Sequence, residues 1–362
     1  MPEVAAWERV WIDAETYGDD VHSYINCTDC HEGQAVDDFE SAHEGQRTRV
    51  VNSPEVCGDC HLDVGIPAYN SLHNTLAGYD TALYERSIPE NHAAIEEMQE
   101  YHCNDCHATC GDCHVSQPFS VGGGLLEGHT FVQSPSMSRN CTACHGSRIR
   151  AEYYGSNEEV TSDVHFRARM DCMECHQADE MHGMDMEGVE DRYDSATPTC
   201  QTCHEDLGMG ERDTEIEEHA EHAEDIMSCQ VCHSQPYTNC VNCHVERTED
   251  DIAFFSVEDH YLDFRIGLNP DVTEERPYTY VVLRHVPIDP DSFSFYGEDL
   301  LVNFDNRPTW VPATPHNIVR VAPQAEDCHQ CHDNDDVWLT EDAVEEEERD
   351  ANQDVIVPEV PY

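Results

Sequence analysis

Ten copies of Cys-x-x-Cys-His use every one of the twenty cysteines in this 362-residue chain, leaving none for a disulfide, a free thiol or a separate metal site. The copies are Cys27/Cys30/His31, Cys57/Cys60/His61, Cys103/Cys106/His107, Cys110/Cys113/His114, Cys141/Cys144/His145, Cys172/Cys175/His176, Cys200/Cys203/His204, Cys229/Cys232/His233, Cys240/Cys243/His244 and Cys328/Cys331/His332. This spacing is the attachment signal for covalent haem c. The two thiols add to the vinyl groups on one porphyrin edge, and the histidine that follows gives its imidazole to the iron as proximal ligand. A zinc ribbon needs four-ligand sets and has no reason to place histidine after every second cysteine. A disulfide framework would not hold all its cysteines at one separation.

Ten porphyrins leave about 36 residues each, so the core is expected to be mostly macrocycle, wrapped by loops with short α-helices and few short β-strands. A mean hydropathy of −0.64 fits a chain whose apolar surface comes largely from its cofactors. Covalent staples then stand in for a conventional hydrophobic core.

The 76 acidic residues face 18 basic ones, all arginine, for a formal net charge of −58. Such a surface repels itself in dilute buffer, whereas in molar salt the screening length falls to roughly 3 Å. Halophilic adaptation is the expected cause; the rival is an acidic surface that collects Ca2+. Nucleic acid is excluded as a partner, because phosphate recognition needs the opposite charge. Met1 to Tyr17 is acidic and lacks a continuous apolar stretch, so it reads as neither secretory leader nor membrane span. Haem attachment of this type takes place outside the cytoplasmic membrane. A leader removed upstream, no membrane span and an extracellular or cell-surface location are therefore expected.

Successive first cysteines lie 30, 46, 7, 31, 31, 28, 29, 11 and 88 residues apart. The seven-residue link from Cys103 to Cys110 spans at most about 25 Å, so two haems must be neighbours there. Residues 1–250 read as a nine-haem region. Residues 251–362 read as an arm with a strand within Tyr278 to Ile288, the tenth haem and a solvated acidic tail at Glu341 to Asp350. Helices are expected over Ala93 to His102 and Glu215 to Met227. A loop is expected at Gly122 to Gly124, where backbone approaches a porphyrin face.

Iron held by one imidazole needs a sixth ligand unless it binds substrate. Of 24 histidines, ten are proximal and fourteen remain. The candidates for distal ligation are His22, His43, His73, His92, His129, His165, His182, His219, His222, His285 and His316; His102, His260 and His329 stand in less favourable contexts. His22 and His165 lie five and seven residues before Cys27 and Cys172, so one short segment can carry a distal ligand and an attachment site. His219 and His222 share a helical face and can serve different haems. Met181, Met184 and Met186 are assigned to packing. Irons with two histidines have no vacancy for substrate, which points to an electron carrier with no catalytic residue.

With the motifs laid out, the chain resembles the multihaem c-type cytochromes from about Val21 to His332. Segments such as CHATCGDCH (Cys106 to His114), DVHFRARMDCMECH (Asp163 to His176) and TPHNIVRVAPQAEDCHQCH (Thr314 to His332) carry the likeness. The compact, haem-dense layout is similar to extracellular cytochromes that polymerise into conducting filaments (nanowires). That resemblance implies a homopolymer with end-to-end contacts between the haems at Cys27 and Cys328, and redox partners or extracellular electron acceptors. Two alternatives stand beside it: a monomeric electron conduit, and a multihaem oxidoreductase of small nitrogen or sulfur oxyanions with one haem lacking a distal ligand. Pentahaem nitrite reductases use a proximal lysine, and this chain has no lysine.

Overall fold

A computed structural model describes the chain except for residues 1–4, 6, 48–49, 51–52, 104–107, 119–120, 195–197, 206–215, 223–224, 240–242, 249, 251, 258–260 and 362, and except for the side chains at 102–103, 243–244, 246–247 and 253–257. Two compact units interleave along the sequence. Unit 1 comprises Met1–Gly78, Cys103–Gly146 and Asp171–Thr197; unit 2 comprises Tyr79–His102, Ser147–Met170 and Pro198–Tyr362. The boundary expected at residue 250 falls inside unit 2.

Unit 1 carries six of the ten motifs in about 150 residues. Its buried apolar side chains among the described residues are Ala68, Ala143 and Met186, while Ser53, Ser71, Thr109, Asn140 and Thr142 are buried polar ones. Single helical turns make up most of it, among them Cys27–His31, Ser53–Gly58, Cys110–His114, Thr142–Cys144 and Cys172–Glu174. One turn is what the motif requires, because residues three and four apart share a helix face.

The residue before the first cysteine starts these turns. Thr109 Oγ1 accepts from Asp112 N at 3.3 Å while Asp112 Oδ2 accepts from Thr109 N at 2.9 Å. Asp171 and Glu174 repeat this reciprocal cap. Neighbouring turns are stitched by polar side chains. Cys110 N donates to Ser53 Oγ at 2.9 Å, and Asn140 Nδ2 donates to the Asp112 and Ser116 carbonyls at 2.6 and 3.0 Å. Gly122, Gly123 and Gly124 all have positive φ. The neighbour they admit is Arg9: a Cβ on Gly124 would stand 2.6 Å from the Arg9 carbonyl oxygen.

Unit 2 is built differently. Its strands are β1 (Tyr237–Thr238), β2 (Cys243–Arg247), β3 (Ala253–Val257), β4 (Leu262–Asp263), β5 (Arg265–Leu268), β6 (Tyr280–His285) and β7 (Trp310–Pro312). They form the antiparallel pairs β1–β4 and β2–β3 and an antiparallel sheet in the order β5–β6–β7. Both faces of β6 are covered. Val282 packs with Ile266, Tyr237, Trp338 and Val357 on one side, and Val281 and Leu283 pack with Trp310, Leu339 and Val355 on the other. This explains why the strand reads as a continuous apolar run rather than an alternating one.

A conventional core therefore exists in unit 2, contrary to the expectation that staples alone hold the chain. The acidic run 341–350 is solvated as expected, seven of its ten residues being exposed, but it is not a free tail. Val344, Val355 and Val357 are buried, Val355 O accepts from Leu268 N at 2.9 Å, and Asn352 Oδ1 accepts from Trp310 N at 2.9 Å. The apolar residues that follow the charges pull the segment onto the sheet.

The expected helix over 93–102 runs as an α-helix from His92 to Met98 and continues as a wider turn, Gln99–Cys103. Of the one expected over 215–227, the described part is Glu217–Glu221. No described helix is long and apolar enough to cross a membrane.

Candidate metal centres

Among the described residues seven imidazole pairs within the units share nearly one separation, and each joins one motif histidine to one from outside the motifs. In unit 1 they are His61 with His22 (ring centres 6.2 Å apart), His31 with His129 (5.9 Å), His145 with His73 (6.1 Å) and His114 with His182 (6.2 Å). In unit 2 they are His204 with His165 (6.2 Å), His233 with His219 (6.2 Å) and His332 with His222 (6.3 Å). Two imidazoles on opposite sides of one metal, each bonded at about 2.0 Å with its ring centre about 1.1 Å behind the nitrogen, have ring centres about 6.2 Å apart. Direct ring contact in the same chain is closer, as for His22 tilted against Phe131 at 4.2 Å and His92 stacked on Tyr84 at 4.4 Å.

Hydrogen bonds prepare the rings for ligation. His31 Nδ1 donates to Arg47 O at 2.8 Å, His114 Nδ1 to Val132 O at 2.7 Å, His222 Nδ1 to Glu218 O at 2.8 Å and His233 Nδ1 to Val319 O at 3.2 Å. His22 Nδ1 and His165 Nδ1 each donate to an aspartate at 2.9 Å. A proton on Nδ1 leaves the Nε2 lone pair for a metal. Burial also pulls the His73, His129 and His182 imidazoles below the ordinary histidine range. That keeps them neutral, as ligands must be.

Gly183 lets the segments that carry two of these rings pack on each other. Its φ is +73°, and a Cβ there would lie 2.5 Å from Ser71 N and 2.6 Å from Pro67 O. The segment ending at His182 therefore packs on the one leading to His73, where Ser71 Oγ donates to Met181 O at 3.0 Å.

The anchoring cysteines meet across motifs. Cys57 and Cys110 thiols hydrogen-bond to each other, as do Cys141 with Cys172 and Cys200 with Cys229. Cys30 lies within electrostatic reach of Cys60, Cys113 of Cys141, and Cys232 of Cys331. Burial is the main cause that pushes the Cys113 thiol up to about 12 and that of Cys331 up to about 11. The attachment sites thus follow one another as Cys27, Cys57, Cys110, Cys141, Cys172 in unit 1 and as Cys200, Cys229, Cys328 in unit 2.

Not every anchoring residue is enclosed. Among the described residues Cys175 and Cys203 are exposed on the polypeptide, as are Cys27, Cys60, Cys144 and Cys328. For Cys175 and Cys203 the reason lies in the turn each one ends. Cys175 N donates to Cys172 O and Cys203 N to Cys200 O, both at 3.3 Å. The first cysteine of each turn meets a neighbouring motif, through Cys141 or Cys229, and the second is exposed on the polypeptide.

The remaining histidine candidates are placed elsewhere. His285 stacks on Trp310 at 4.6 Å, with Nε2 3.0 Å from Glu348 and Nδ1 3.2 Å from the Tyr261 hydroxyl, so protein groups occupy both nitrogens. His43 is exposed, its ring tilted against Phe39, and its Nδ1 donates to Phe39 O at 2.7 Å. His92 keeps a buried Nε2 with no hydrogen-bond partner among the described residues. The backbone N of His316 donates to Glu152 Oε2 at 2.9 Å. His329, inside the tenth motif, is exposed. His176 shares its Nδ1 proton with Glu180 at 3.1 Å, which raises its basicity.

Cys106, His107, Cys240 and His260 lie outside the described residues, as do the side chains of His102, Cys103, Cys243 and His244. Among the described residues no group of three or more His, Cys, Asp or Glu side chains is arranged to hold a metal ion, so nothing there offers Ca2+ a preformed site. Sequence reasoning missed Asp20 and Asp163, although the tripeptide Asp-Val-His occurs at both. Comparison with known protein families, curated proteins and solved structures finds no match.

Proposed function

We propose that the chain is a decahaem electron-transfer protein working outside the cell, with its irons held mainly by two histidines. The observation that carries this reading is the set of seven imidazole pairs, each combining a motif histidine with a second one at the separation two axial ligands need. Haem c supplies one-electron cycling of its iron between ferric and ferrous states.

The protein's residues do the rest. Cysteine pairs anchor each group by one edge, and the meetings of Cys57 with Cys110, Cys141 with Cys172, and Cys200 with Cys229 bring anchored edges into contact. Each motif histidine with its partner imidazole would hold one iron between them and leave it no vacancy for substrate. Nδ1 hydrogen bonds fix the orientation of the His22, His31, His114, His165, His222 and His233 rings, so little rearrangement accompanies a change of charge there.

Two measurements on the secreted protein test this. The mass must exceed the 41.1 kDa of the polypeptide by ten haems, and the ferric spectrum must be low-spin throughout. An apoprotein rejects the reading; a high-spin fraction that binds nitrite or carbon monoxide supports the oxidoreductase alternative. Assembly into a filament rests on the resemblance of the sequence to filament cytochromes. Micrographs at native salt that hold only dispersed monomers reject that step and leave electron transfer intact.

A further inference from the structure

The tripeptide Asp-Val-His occurs at residues 20–22 in unit 1 and 163–165 in unit 2, and the two copies are built alike. Asp20 Oδ1 accepts from both His22 N (2.8 Å) and His22 Nδ1 (2.9 Å), while its Oδ2 accepts from Phe131 N (3.0 Å). Asp163 Oδ1 accepts from both His165 N (2.7 Å) and His165 Nδ1 (2.9 Å), while its Oδ2 accepts from Ile318 N (2.7 Å). The aspartate side chains are 4% and 3% exposed. Four other paired histidines give their Nδ1 proton to a backbone carbonyl instead.

The difference has an electronic consequence. A buried carboxylate that accepts the Nδ1 proton pushes electron density through the ring to Nε2, making the imidazole a stronger donor. A stronger donor favours ferric over ferrous iron, and water is too scarce at these aspartates to screen the charge. A neutral carbonyl does this more weakly, and so does Glu180 beside His176, since the Glu180 side chain is 23% exposed and therefore screened by water.

We infer that Asp20 and Asp163 are positioning residues that set the lowest reduction potentials in the protein, at the haems anchored by Cys57 and Cys200, one in each unit. This rests on the two-histidine reading above, applied to His22 with His61 and to His165 with His204. In unit 1 the site anchored by Cys57 lies between those of Cys27 and Cys110, so an electron traversing the unit meets an uphill step in mid-path.

The test is a spectroelectrochemical titration of the full-length haem-loaded protein. In the unmodified protein two of the ten one-electron steps should fall below the others. Asp20→Asn and Asp163→Asn keep the side-chain shape and remove the charge. Each should make one low step easier to reduce by about tenfold in the ferric-to-ferrous ratio, which is about 59 mV, while all ten irons stay low-spin. Unshifted steps in low-spin variants overturn the inference, as does an unmodified protein without two low steps, a result that stands even if neither variant folds. High-spin iron or fewer than ten haems in the unmodified protein would instead remove the two-histidine reading itself.

Discussion

The ion pair between Arg284 and Glu152 offers a perturbation whose size can be worked out. Arg284 Nη2 lies 2.6 Å from Glu152 Oε1, with side chains 2% and 0% exposed, and Arg284 Nε also donates to Thr238 O at 2.8 Å. Glu152→Gln keeps the shape and removes the charge, leaving a guanidinium buried without its counter-ion. Breaking such a pair from one side costs about 3–5 kcal/mol. For a unit of this size each kcal/mol shifts the midpoint by about 2–4 °C, so a fall of roughly 6–20 °C is expected. Circular dichroism melts at fixed molar salt measure it. The double variant Glu152→Met, Arg284→Met should recover most of the loss, because apolar side chains of similar volume replace the pair without an orphaned charge. A single variant melting within about 2 °C of the parent would refute the claim that the guanidinium depends on this carboxylate.

Four further outcomes are expected. His182→Ala should leave one iron in ten high-spin and able to bind carbon monoxide, whereas His285→Ala should change no spin state, since Tyr261 and Glu348 already use both its nitrogens. Gly183→Ala forces a Cβ against Ser71 N and Pro67 O at positive φ, a strain of about 1–3 kcal/mol, and should loosen the ligands at His182 and His73 together, seen as a high-spin fraction on mild heating. Dialysis from molar salt to about 0.01 M lengthens the screening distance to about 30 Å and should lower the melting temperature of a chain carrying −58 charges; an unchanged melt rejects halophilic adaptation. Produced without haem attachment, the chain should keep slow hydrogen exchange in β5 to β7 and lose protection throughout unit 1, which buries little else that is apolar.

Much of this was legible because the chemistry of the motif is local. Cys-x-x-Cys-His fits one helical turn, and Thr109 with Asp112 or Asp171 with Glu174 announces where that turn begins. The placement of His219 and His222 one turn apart also carried their use by different motifs, since a single helix can present two rings to two neighbours. The pairings were not legible, because ring meets ring across long stretches of chain, as His31 meets His129. The sheet core stayed hidden for a related reason. The strand at Tyr280–His285 was legible in its β-branched and aromatic run, but Val281, Val282 and Leu283 are covered by partners distant in sequence such as Ile266, Trp310 and Trp338, and the glutamates at 345–348 mask the valines that anchor the segment after them. Asp20 and Asp163 went unread because a lone aspartate before a histidine has many uses, and only the repetition of the tripeptide marks it.

The pairing of His31 with His129 bears on how such a molecule matures. If the chain is exported from its N-terminus, the imidazole that closes the first iron arrives 98 residues after the attachment histidine. His22, by contrast, precedes its mate His61 and awaits it. A nascent chain would therefore pass through a stage with one iron sealed and its neighbour still open to small ligands, a reactivity the finished protein sheds when residues near 129 cross the membrane.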